Sequence, residues 1–107
     1  MSSDEHFIQY LLEQLQGAGT VTARKMFGEY GVYCDGKMAA VVCDNRFFVR
    51  PTAAGRAFIG TPVEEPPYPG SKPNFLIEEQ LEDAEWLCQL LRLTVQQLPA
   101  PKPKKGK

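Results

Sequence analysis

Residues 26–50 read MFGEYGVYC, DG, KMAAVVC, DN and RFFVR in succession. Three apolar, β-branched and aromatic runs are thus separated by two short polar pairs. Asp35-Gly36 is a strong hairpin signal, because a type I′ turn needs positive φ at both central residues. Asp44-Asn45 is a second turn candidate. The stretch predicts a three-stranded antiparallel meander, with residues 26–34 in its first strand. With a two-residue loop at Asp35-Gly36, the numbers of facing residues sum to 71. Tyr30 then faces Val41, Val32 faces Ala39 and Cys43 faces Gly28. In this register Cys34 and Cys43 lie ~20 Å apart along the hairpin. A disulfide needs Cα atoms within ~7 Å, so none is expected between them.

The same register puts apolar side chains on both faces of the sheet. Met26, Tyr30, Val32, Val41 and Phe48 fall on one face, and Phe27, Tyr33, Met38, Val42, Phe47 and Val49 on the other. An antiparallel sheet with a solvated face normally alternates apolar and polar residues. Both faces here need cover, and the second can be closed by a helix or by a partner chain.

Working outward, Ser2-x-x-Glu5 reads as a capping box, and Phe7, Ile8, Leu11, Leu12 and Leu15 recur at helical spacing. This predicts a helix over 4–16, ended by Gly17 and Gly19. After the meander, Thr52 caps a short helix, AAGRAFI, closed by Gly60. The proline-rich run TPVEEPPYPGSKP must be loop or extended chain. NFLIE (74–78) fits a further strand, with an extended piece around Tyr68 beside it. Asp83 caps a last helix whose stripe is Ala84, Leu87, Cys88, Leu91, Val95 and Leu98, widened by Trp86, Leu90 and Leu93. Pro99 stops it. The order is α-β-β-β-α-β(β)-α, an α+β fold with an antiparallel meander sheet packed by helices. Residues 1–99 make one domain, and 100–107 form a disordered Lys/Pro-rich tail.

Composition narrows the function. Leu, Ile, Val and Phe supply 26 of 107 residues, enough for one modest core. No apolar run approaches the ~18 residues of a membrane span, and the acidic, polar start is unlike a secretory signal. Three cysteines without a CxxC pair argue against a disulfide scaffold and for a reducing, cytoplasmic setting. The net charge is −1, yet residues 102–107 hold four lysines, leaving 8 basic against 13 acidic side chains before them. Residues 62–101 are the acidic part, with only Lys72 and Arg92 against seven carboxylates. A body of net −5 is unsuited to binding DNA unaided.

Few residues carry chemistry. His6, the sole histidine, reads as a solvated side chain. Cys34, Cys43 and Cys88 read as small apolar residues, and no ligand-pair spacing suggests a metal. Glu78, Glu79, Glu82, Asp83 and Glu85 suit a helix N-terminus. GEYG belongs to no phosphate loop, and its glycines mark a bend or close approach in the strand. No catalytic residue, cofactor site or metal site is expected. The basic set Arg24, Lys25, Arg46, Arg50 and Arg56 is the most suggestive. Arg24 and Lys25 open the first strand and Arg46 the third, which gathers them at one end of the meander. Arginine among aromatic residues suits a protein interface. Lys102, Lys104, Lys105 and Lys107 offer non-specific attraction to nucleic acid or simply solubility.

The run TARKMFGEYGVYCDGKMAAVVCDNRFFVRP (22–51) resembles the signature of the TfoX/Sxy family N-terminal domain. The resemblance is carried by Arg24-Lys25-Met26-Phe27-Gly28, by Tyr30-Gly31-Val32-Tyr33, by Asp35-Gly36 and by Met38 and Phe48. Gly60, Pro62, Tyr68, Gly70-x-Lys72 and Trp86 extend it. It implies an α+β arrangement similar to type III secretion chaperones. It also implies a bacterial regulator of competence for DNA uptake, a transcriptional co-activator working with the cyclic-AMP receptor protein. Competence regulators of the family carry a second, helical domain, whereas this chain ends after the first, and NFLIEEQLEDAEWL departs from their usual Met and Tyr pattern.

Two readings of function follow. The first is a non-enzymatic regulator that meets a protein partner through Arg24, Lys25, Phe27, Tyr30 and Tyr33 and touches DNA only indirectly or weakly. The second is a homodimeric interaction module without a transcriptional role.

Overall fold

The computed structural model describes residues 5–26 and 29–98. Ser2 of the capping box, Phe27, Gly28, Pro99 and the lysine tail lie outside the described residues. Helix α1 (Glu5–Leu15) runs into a 3₁₀ turn, Gln16–Ala18. Strands β1 (Val21–Met26), β2 (Glu29–Cys34), β3 (Lys37–Cys43) and β4 (Arg46–Val49) follow. Then come α2 (Ala53–Ile59), β5 (Val63–Glu65), β6 (Asn74–Ile77) and α3 (Ala84–Gln97). The fold is α+β, and the six strands form one antiparallel sheet in the order β1-β2-β3-β4-β6-β5.

Three expectations about the strands are corrected. The first strand is not continuous: it divides at residues 27–28 into β1 and β2, which pair as a hairpin with Arg24 opposite Gly31. Arg24 and Lys25 therefore lie near the end of a strand rather than opening one. The extended piece beside β6 is Val63–Glu65, while Tyr68 sits in a turn. The β2–β3 register holds the expected sum only beside the turn, at Cys34–Lys37 and Tyr33–Met38. A bulge then shifts it, so Val32 faces Ala40 and Tyr30 faces Val42.

That one extra residue reassigns the faces, because side chains alternate with a period of two. Tyr30 and Val32 join Val42, Phe47, Val49, Phe75 and Ile77 on the face that packs against α1 and α3. Val41, Cys43, Phe48 and Leu76 form a smaller cluster on the opposite face. Both turns form, and Asp35-Gly36 has the expected positive φ at both residues, +52° and +86°; Asp44 and Asn45 share that geometry at +55° and +60°.

The helices are held by their ends. Thr52 Oγ1 accepts from the Gly55 amide at 3.0 Å, and Asp83 Oδ1 accepts from the Trp86 amide at 3.1 Å. Gln97 Oε1 accepts from the Ala54 amide at 2.8 Å, tying the start of α2 to the end of α3. Gly55 is needed in this contact. A Cβ there would come within 2.9 Å of Thr52 Oγ1 and 3.4 Å of Leu90. The Lys37 ammonium donates to the carbonyls of Val95 and Leu98 at 3.0 and 3.1 Å, closing the C-terminus of α3 where a cation is favoured.

Candidate functional site

The helix-free face of the sheet carries the features that look built for contact. Across it runs one row of facing residues, Arg24, Gly31, Val41, Phe48, Leu76 and Val63, one from each strand. No helix covers Phe48, yet it is only 1 % exposed. Arg46 supplies the cover: its guanidinium lies 5.6 Å from the Phe48 ring centre and reaches Glu65 at 2.8 Å. The proline-rich segment also folds back over this face, so that Pro67, Tyr68, Ser71 and Lys72 stand against Met38, Val41 and Arg50. Over Phe48 and Leu76 the second face is thus closed within the chain, by a loop and an ion pair, while Val63 at its edge stays 55% exposed.

Edge strand β5 is clamped from both sides. Glu65 takes Arg46 on the helix-free face, and Glu64 takes Arg56 of α2 at 2.7 Å on the other. Arg56 also lies 5.2 Å from the Phe75 ring. Two of the five suggestive basic residues are therefore committed to holding the sheet edge. Arg24, Lys25 and Arg50 remain exposed.

The five residues expected at an interface do not share one patch. Arg24 and Lys25 project to opposite faces of β1, the outer strand of the sheet. Tyr33 is half-buried on the same face as Arg24, between Thr22 and Met38. Tyr30 is 9 % exposed and packs in the main core. Phe27 and the four tail lysines lie outside the described residues. Arg24 and Arg46 do sit towards the same end of the sheet, but β2 and β3 separate their strands by ~14 Å. The missed elements of this face are Tyr68 and Lys72, whose proline-rich setting signalled a loop but not where it would fold.

The remaining polar groups serve structure. A groove of about 500 Å³ lies between α1 and α3 and is lined by Glu13, Glu85, Cys88 and Arg92 among others. Arg92 donates to the Gly17 carbonyl at 2.6 Å, and the Cys88 thiol to that of Gln14 at 3.2 Å. All three cysteines are free and buried. Burial pushes the Cys34 and Cys43 thiols above their ordinary range, with Asp35 and Glu29 respectively adding to the rise. Such thiols stay protonated at neutral pH and are poor nucleophiles and metal ligands. Among the described residues no three metal-ligating side chains converge. No helix there is long and apolar enough to cross a membrane.

The chain is 39% identical over 107 residues to an uncharacterized 12.7 kDa protein in the trpE 5′ region of Spirochaeta aurantia, covering 100% of this chain and 93% of that relative. A family model described as the TfoX N-terminal domain matches residues 13–98. That span runs from the last three residues of α1 to the end of α3, the whole sheet included, so the chain belongs to the TfoX N-terminal domain family.

Proposed function

We propose that this chain is a non-enzymatic regulatory protein of the TfoX type, a transcriptional co-activator that works through protein–protein contact. The supporting observation is edge strand β1, whose six residues pair with β2 alone among the described residues and carry the exposed Arg24 and Lys25. A free strand edge offers a row of backbone donors and acceptors, and flanking cations select an acidic partner. Tyr33 lies one strand in on the Arg24 face. A cyclic-AMP receptor protein-type regulator is the partner proposed here, with DNA reached through it and the lysine tail adding weak attraction. The net −5 of residues 1–101 supports this indirect route, since long polyanions need many compensating cations.

The test is a reporter driven by a promoter dependent on that receptor, read alongside duplex-DNA anisotropy with and without the receptor. Arg24→Glu and Lys25→Glu should each abolish activation while leaving the thermal melt unchanged. Full activation by the folded double variant, or DNA binding that needs no receptor and survives truncation after Pro99, would sink the proposal. The homodimer reading is the weaker one, because Phe48 and Leu76 are buried within the single chain.

A further inference from the structure

Met38 and Val41 of β3 form the floor of a cleft whose walls are Arg50, after β4, and the loop residues Tyr68 and Lys72. Its volume is about 170 Å³. Cofactor and metabolite sites run to roughly 300–1,000 Å³, so the cleft holds little more than one side chain. The wall is not slack. Ser71 Oγ donates to the Tyr68 carbonyl at 2.8 Å and accepts from the Tyr68 amide at 3.3 Å. The Ser71 amide closes the same turn at 3.1 Å, and Gly70 supplies the φ of +89° that it requires. Tyr68, at 59 % exposed, is thus presented to solvent by a hydrogen-bonded turn.

The charge in this cleft is one-sided. Arg50 and Lys72 are both exposed, and no carboxylate among the described residues pairs with either. No acidic residue lines the cleft, although residues 1–101 are acidic overall. Two uncompensated cations flanking an apolar floor and an exposed aromatic ring complement an anionic ligand with one apolar side chain. Two cations match a pair of carboxylates but fall short of a nucleic-acid backbone, which needs a longer basic track.

From this we infer that the cleft between the Tyr68–Ser71 turn and the helix-free sheet face binds a short acidic segment of a protein partner. One aromatic or aliphatic side chain of that segment seats on Met38 and Val41 against Tyr68, and its flanking carboxylates face Arg50 and Lys72. The inference rests on the reading of this chain as a protein-contact module and adds a second contact, with its floor two strands in from the β1 edge.

The test uses the full chain and fluorescein-labelled peptides DEFDE, NQFNQ and KKFKK, with a thymidine-only single-stranded oligonucleotide as a fourth probe. Anisotropy should report saturable, salt-sensitive binding of DEFDE alone. Arg50→Glu and Lys72→Glu should each weaken it about tenfold, equivalent to ~1.4 kcal/mol. Tyr68→Ala should weaken it at any salt concentration. These side chains are exposed, and circular dichroism melts check that the variants fold. Equal binding of DEFDE and NQFNQ, indifference to both charge reversals, or no DEFDE binding at millimolar protein overturns the inference. Oligonucleotide binding that Arg50→Glu removes, without peptide binding, replaces the peptide with nucleic acid and equally overturns it. Reporter activity of Arg24→Glu reads the co-activator proposal separately, so either can fail alone.

Discussion

Phe47 and Phe48 are neighbours in β4, and both are 1 % exposed, yet they are hidden by different means. Phe47 points into the main core with Leu11, Leu87, Leu91 and Phe75, on the face where α1 and α3 pack. Phe48 points the other way, into a cluster of Val41, Cys43 and Leu76, with the guanidinium of Arg46 above it. Helices seal a face with many interlocking side chains on a rigid backbone. A loop and an ion pair seal it with parts that can shift. The two faces teach that equal burial can be reached by unlike kinds of cover, one of interlocked helices and one of a loop and an ion pair.

Truncation distinguishes the two kinds of cover most sharply. Phe47→Ala should cost about 3–5 kcal/mol, a large part of the stability of a domain this size. Phe48→Ala should cost only about 2 kcal/mol, because Arg46 and the proline-rich segment can settle into the space. Urea midpoints at unchanged slope measure both. Equal losses would mean that the loop is as unyielding as the helices. Next in size, Lys37→Met removes the ammonium from the end of α3 and should cost ~1 kcal/mol on the helical side. Native-state hydrogen exchange should then speed up in the last turn of α3 first. Smallest is Glu65→Gln. It breaks a pair whose side chains are 39% and 42% exposed, so solvent screening limits the loss to roughly 0.5 kcal/mol. Its clearer signature is faster exchange in β5, and unchanged exchange there would show that the clamp does not hold the edge.

Local chemistry was legible wherever a residue acts on its immediate neighbours. Asp35-Gly36 and Asp44-Asn45 turn because of their own backbone preferences, and Thr52 and Asp83 cap amides three residues on. The interface residues were less legible, since exposure belongs to the assembled sheet. The three-residue spacing of Tyr30 and Tyr33 already put them on opposite faces, but not which of those faces the helices would cover. Tyr68 and Lys72 stood in a run whose prolines announced a loop without indicating the surface it would cross.

Taken by itself, the sequence determined the α+β class, the helices with the Thr52 and Asp83 caps, the turn at Asp35-Gly36 with its positive φ, the place of the turn at Asp44-Asn45 and the absence of a Cys34–Cys43 bond, all governed by interactions over a few residues. It also carried the family, through the run 22–51. Only the tertiary structure decided the bulge opposite Val32 and Tyr33, and hence which apolar set meets the helices. A bulge is the compromise between strand pairing near a turn and packing farther along it. It likewise decided that Arg46 and Arg56 clamp β5 while Arg50 stays exposed, because those roles depend on where residues far apart in the chain come to lie.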